Sequence, residues 1–206
     1  MTEEKIYYMF NKPAGFLTAM RDDKKPTIME FFPEDLPKGF HPVGRLDYDT
    51  HGLLIMTNDG RVDRSLLQPS HHVTKRYFFY AIGTLTADKI NRLEHGVYIG
   101  SSGIMSGPAK IFPDRTFTVG DIENYLPEFR RNRYMKNPQG PAFSASLEIT
   151  EGKKHQVKLM LRAVDCKIVR LTRTSFAGIE LDPELPEGKY RPLNPDEMEI
   201  IASKLL

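Results

Sequence analysis

Residues 52–60 read GLLIMTNDG, which sets four consecutive apolar side chains, Leu53, Leu54, Ile55 and Met56, before an Asn-Asp-Gly turn signal. Side chains of a strand alternate between its two faces, so an unbroken apolar run needs cover on both, and this one reads as a buried, central strand. The preceding residues, GRLDYDTH, bring Arg45, Asp47 and Asp49 on a glycine-started turn directly against it. A polar turn before a strand is the ordinary explanation. The sharper one is a single catalytic carboxylate held at the end of a rigid element. Asp47 lies between Leu46 and Tyr48, where a carboxylate is costly unless a cation or hydrogen bonds satisfy it. Asp49 and Thr50 read as a turn or cap pair.

A chain of 206 residues fits one large domain or two small lobes sharing a cleft, and a single domain over 1–206 is the expectation. Cys166 is the only cysteine, so no internal disulfide is possible and a reducing cytoplasm is the natural home. The opening MTEEKIYYMF carries two acids and no long apolar segment, unlike a secretory signal. No apolar run approaches the roughly 18 residues needed to span a bilayer. A monomer is expected.

Further strands are read at 6–10, in KRYFFYAIGTL (75–85), FSASLEITEG, KIVRLTR and AGIEL. TIMEFF suits a short helical turn and VDRSLLQP a short helix ended by Pro69. TADKINRLEHGV carries helix signals, with Thr86 as N-cap and Gly96 near the end. KKHQVKLMLRAV places Val157, Met160, Leu161 and Val164 at amphipathic-helix spacing, and a last helix begins in NPDEMEIIASKLL. GIMSGPAKIFPD looks like short strands and turns, and 120–141 reads as long, polar and irregular. Strands and helices mix without strict alternation, which predicts an α+β fold with a largely antiparallel sheet.

The net charge of +2 hides an uneven distribution. Residues 153–173 hold seven Lys or Arg against one acid, Asp165, and Lys154, Lys158 and Arg162 fall at helical spacing on one face. A second cluster, Arg130, Arg131, Arg133 and Lys136, is interleaved with Phe129 and Tyr134. Such surfaces suit a phosphate backbone and unpaired bases, although a solvated helix face has the same composition. Residues 180–199 carry seven acids. His71 and His72 are adjacent and no metal-ligand spacing completes a site. GSSGIMSG is not a dinucleotide or phosphate loop, so no cofactor is expected.

GRLDYDTHGLLIMTNDG resembles the signature of bacterial ribosomal pseudouridine synthases of the RsuA family. So do YMFNKPAGFLT at 8–18, TKRYFFYAIG with its Lys-x-Tyr element, TEGKKHQVKLML, and RLTRTSFAGIEL followed by LPEGKYRPL. The resemblance covers nearly the whole chain in order. It implies a mixed, mainly antiparallel sheet with a central catalytic cleft flanked by helices. It also implies isomerisation of a uridine in ribosomal RNA to pseudouridine, without metal or cofactor. Asp47 is then the catalytic carboxylate, Tyr77 lines the uracil pocket and handles the C5 proton, and Lys158 pairs with the aspartate. Arg45 is the signature arginine beside it. Lys12, His155, Gln156 and Arg162 complete the substrate-binding set, joined by Arg130, Arg131 and Arg133 from the basic cluster.

One carboxylate suits a reaction that breaks and remakes one glycosidic bond, whereas a glycosidase would want two flanking it. A neighbouring cation would keep Asp47 ionised, and the target base would leave its stack to reach it. Most relatives begin with a small S4-type RNA-binding domain, and the first catalytic strand here starts at about Ile6, so that domain is expected to be absent. Lys153 and Leu159 stand where relatives often carry arginines. The His155-Gln156-Val157-Lys158 form leans towards small-subunit rRNA. The alternatives are a large-subunit rRNA or tRNA modifier, and a non-catalytic ribosome-assembly factor on the same fold. A two-carboxylate glycoside hydrolase using Asp47 and Asp49 is disfavoured by their i, i+2 spacing.

Overall fold

The computed structural model describes residues 4–100 and 103–205. The chain divides into two compact units. One comprises the residues up to Thr74 and those from Arg173 onward, and the other is Lys75–Thr172. In chain order the elements are β1 (Tyr7–Lys12), β2 (His41–Pro42), β3 (His51–Thr57), α1 (Gly60–Leu67), β4 (Lys75–Ile82), α2 (Ala87–His95), β5 (Tyr98–Ile99), β6 (Ile104–Met105), β7 (Lys110–Thr118), α3 (Glu128–Tyr134), β8 (Pro141–Ile149), α4 (Gln156–Ala163), β9 (Lys167–Phe176), β10 (Ile179–Glu180), β11 (Tyr190–Pro192) and α5 (Pro195–Lys204). Helices and a mainly antiparallel sheet make the expected α+β fold.

In the first unit the strand order is β11-β1-β3-β9, with β2 on β3 and β10 on β9. The apolar run of β3 is covered on both faces, as its sequence demands. Leu53 and Ile55 pack with Met9 of β1, Val62 and Leu66 of α1 and Ile201 of α5. Leu54 and Met56 face the other way, opposite Phe10 and Tyr8 of β1. There Phe10 meets Phe31 and Phe32 of a short helical turn, and Phe32 stacks on Tyr190 of β11 at 4.5 Å.

The Asn-Asp-Gly signal resolves differently from a tight reversal. Asp59 is the N-cap of α1: its carboxylate accepts from the Arg61 backbone N–H at 3.1 Å, from the Arg61 guanidinium at 2.7 Å and from the Tyr7 hydroxyl at 2.8 Å. Those hydrogen bonds, led by Arg61, outweigh burial and hold the carboxyl well below the usual range. At the other end of the unit, α5 opens with a capping box between Asn194 and Glu197. Arg191 ties that box to Asp182.

The second unit has the order β9-β4-β8-β7, and β4 shows the period of two that its sequence announces. Tyr77, Phe79 and Ala81 are buried, while Arg76, Phe78, Tyr80 and Ile82 are half-buried. The segment expected to be irregular is instead folded onto the sheet. Val119, Ile122 and Leu126 form a core cluster with Ala142, Tyr125 stacks on Tyr80 at 4.0 Å, and Arg130, Arg131 and Arg133 lie on α3. The apolar residues that close this small core are spaced too irregularly along 119–135 to show as a period. Cys166 is buried. The short strands β2, β5 and β11, of two or three residues, were not legible in the sequence. No helix among the described residues is long and apolar enough to cross a membrane.

Candidate active site

Arg45, Asp47 and Lys12 belong to the first unit, and Tyr77, His155, Gln156, Lys158, Arg162 and the α3 arginines to the second. In the first unit the segment 44–50 is built as a rigid shelf before β3. Gly44 adopts a φ of +73°, and a Cβ there would also come within 2.9 Å of the Leu67 side chain. Leu46 is buried and exchanges hydrogen bonds with Thr18, whose hydroxyl donates to the Leu46 carbonyl at 2.8 Å. The Tyr48 carbonyl accepts from Gly15 N–H at 2.8 Å, and the Asp47 carbonyl from Thr50 N–H at 3.1 Å.

Lys12 completes this shelf. Its side chain has no exposure, and its ammonium donates to the carbonyls of Pro13 at 2.9 Å, Thr50 at 3.0 Å and Asp47 at 3.3 Å. A buried ammonium is tolerated because charge-assisted bonds replace its hydration. Lys12, expected among the substrate-binding residues, here braces the backbone that carries Asp47. Asp47 itself is half-buried, Arg45, Tyr48 and Asp49 are exposed, and Lys25 lies 4.8 Å over the Tyr48 ring. The result is one carboxylate on a fixed backbone at the mouth of a central strand.

In the second unit Tyr77 is buried on β4, across from Leu147 of β8. Helix α4 begins at Gln156, three residues after the start of the expected helical stretch KKHQVKLMLRAV, because His155 takes a left-handed conformation with φ of +55° and ends the preceding turn. Lys153 and Lys154 therefore precede the helix, and only Lys158 and Arg162 of the predicted basic face lie on it. Lys158 is half-buried; His155 and Arg162 are exposed.

Gln156 was also expected among the substrate-binding residues. It is buried, its carbonyl oxygen accepts from Lys153 N–H at 2.8 Å, and its amide donates to Glu151. It organises the turn and presents no free amide to a ligand. Glu151, which the sequence reading passed over, collects Lys153, Gln156 and the Gly107 backbone N–H. Burial works to raise its carboxyl, but these donors prevail and hold it below the usual range. Its only sequence signal was its place in the EGKKHQVK stretch.

On α3, Arg130 and Arg133 are exposed and Arg131 is half-buried. Phe129 is 80% exposed, with the Arg130 guanidinium 5.0 Å from its ring. Lys167 of β9 lies 5.0 Å over Tyr134. Arg173, counted with the basic residues of 153–173, is instead 2% exposed, its Nε donating to the Leu53 carbonyl at 2.8 Å.

Comparison with known proteins places these features in context. Residues 6–163 match the family model described as RNA pseudouridylate synthase. An uncharacterized RNA pseudouridine synthase of Bacillus subtilis (strain 168), YtzG, is 37% identical over 199 residues, covering 96% of this chain and 74% of that protein. The ribosomal small subunit pseudouridine synthase A of Pseudomonas aeruginosa is 34% identical over 192 residues, covering 93% and 72%. A crystal structure of a pseudouridylate synthase superposes with a TM-score of 0.76 at 31% identity, over 97% of this chain and 74% of that one.

Proposed function

The chain belongs to the RNA pseudouridylate synthase family, and from that premise we propose that it converts one uridine of small-subunit ribosomal RNA to pseudouridine, with Asp47 as its catalytic carboxylate. The observation that carries the assignment is the shelf at 44–50, where a buried lysine and paired backbone bonds fix the residue from which a single carboxylate projects. Rigid support of this kind is what a reaction at one glycosidic carbon requires, since misplacement of reacting groups by about 1 Å can cost ~10²-fold in rate.

The reaction conserves every atom. The bond from N1 to C1′ breaks, the uracil turns, C5 joins C1′, the proton leaves C5 and N1 ends protonated. Asp47 acts as nucleophile or base at the nucleoside. The matched motifs support Tyr77 as the aromatic beside the uracil and the group that handles the C5 proton. They likewise support Lys158 as the cation that keeps Asp47 ionised. Arg45, exposed beside Asp47, and His155 and Arg162, exposed on the α4 side, take the RNA, with Arg130, Arg131 and Arg133 as phosphate contacts. The reaction needs no redox step, so no cofactor enters the proposal.

Small-subunit rRNA is favoured by the Pseudomonas relative and by the His155-Gln156-Val157-Lys158 form. The test is pseudouridine mapping of rRNA and tRNA from a deletion strain, complemented with wild type or Asp47→Asn. Loss of one small-subunit pseudouridine, restored only by wild type, is the expected result. A site lost from large-subunit rRNA or tRNA selects the alternative substrate, and an unchanged map refutes the function.

A further inference from the structure

Three donors converge on one partly buried carboxylate, two from its own turn and one from 44 residues earlier in the chain. Glu151 sits in the turn between β8 and α4. One oxygen receives Gly107 N–H at 2.6 Å, from just beyond β6, and also the Gln156 side-chain amide; the other pairs with the Lys153 ammonium. Gln156 in turn accepts Lys153 N–H at 2.8 Å and its amide also contacts Met160 Sδ at 3.7 Å. Helix α4 has no side-chain N-cap, so this relay from Glu151 through Gln156 stands where a cap would be. The approach is close: a Cβ at 107 would lie 3.3 Å from the Glu151 carboxyl carbon, so the carboxylate would have to give way by a few tenths of an ångström.

We infer that Glu151 is a positioning residue of the reaction, gathering Gly107, Lys153 and Gln156 so that the turn at His155 and the start of α4 hold Lys158 in its working place. The inference rests on the role proposed above for Lys158. Glu151 touches neither RNA nor the reacting atoms; it acts through the helix it launches. A carboxylate is needed because it alone offers enough acceptor sites for two amide donors and an ammonium. Remove it and three donors lose their partner together, in a network whose members polarise one another.

The test uses the whole protein in single-turnover assays at saturating RNA, at a temperature well below each variant's Tm, beside RNA Kd measurements. Glu151→Ala is expected to lower the rate constant by ~10–100-fold, the scale of a misplaced group, while Kd changes by less than about threefold. Glu151→Gln keeps the shape and an acceptor for Gly107 and is expected to fall between Ala and wild type. Gly107→Ala keeps the carboxylate but shifts it slightly, and should show a smaller loss of the same kind. A wild-type rate for Glu151→Ala, a loss confined to Kd, or a loss that disappears on cooling would overturn the inference. Asp47→Asn run in parallel separates the two readings. If that variant is inactive and Glu151→Ala is not, only this inference fails. If Asp47→Asn is active, the catalytic reading beneath it fails.

Discussion

Lys12 carries a positive charge to a place with no solvent, where three carbonyls accept from its ammonium. Lys12→Met keeps the length of the side chain and leaves those acceptors without their cation. Each buried group left unsatisfied costs about 1–3 kcal/mol, so urea unfolding should show a loss on that scale, with pseudouridine formation falling and RNA affinity near wild type. Unfolding unchanged from wild type would show that the shelf stands without its brace. The sequence singled out both Asp47 and Lys12, but not the contact between them. The expectation placed the costly buried charge on Asp47, which is half-buried, whereas Lys12, 35 residues earlier in the chain, is fully buried. Contacts of that separation are made by the pairing of β1 with β3, which no local pattern displays.

Elements show where local chemistry was read well and where it was overridden. The Thr86 cap and Gly96 end of α2 appear as expected, because capping is a local hydrogen bond. The start of α4 was misread because His155 breaks the helix from within a sequence that looks helical. At α1, Asp59 gives a pH prediction. Its folded pKa is depressed, so its contribution to stability is complete above the unfolded value near 3.8 and is lost as pH falls. The Tm of wild type should therefore drop more steeply than that of Asp59→Asn on going from about pH 5 to 2, since Asn still caps the helix but carries no charge. Parallel acid limbs for the two proteins would contradict the pairing with Arg61 and Tyr7. At α3, changing Arg130, Arg131 and Arg133 to Gln should reduce the magnitude of the slope of log K against log[salt] by up to ~3, if each neutralises one phosphate. Filter binding over a salt series reads this directly, and an unchanged slope would leave α3 as solvated surface.

At the scale of the molecule, the class of fold followed from the chain's strand and helix periods, and the β3 run correctly announced an interior strand. The division into units did not, because the second unit is inserted between two segments of the first and β9 continues across the boundary at Thr172 and Arg173. No composition change marks that point. The motifs single out residues of both units where periodicity singles out none: Asp47 lies in one unit and Tyr77 and Lys158 in the other. The central claim is that Asp47 performs the isomerisation of a uridine in rRNA. Forming the C5 to C1′ bond expels the hydrogen at C5, so small-subunit rRNA made with tritium at uridine C5 reports each turnover as tritium released to water. Purified wild-type protein should release the label of one uridine per RNA molecule, and Asp47→Asn, folded and still binding RNA, should release none. Release by Asp47→Asn within tenfold of wild type, or no release by wild type from rRNA substrates, would contradict the account.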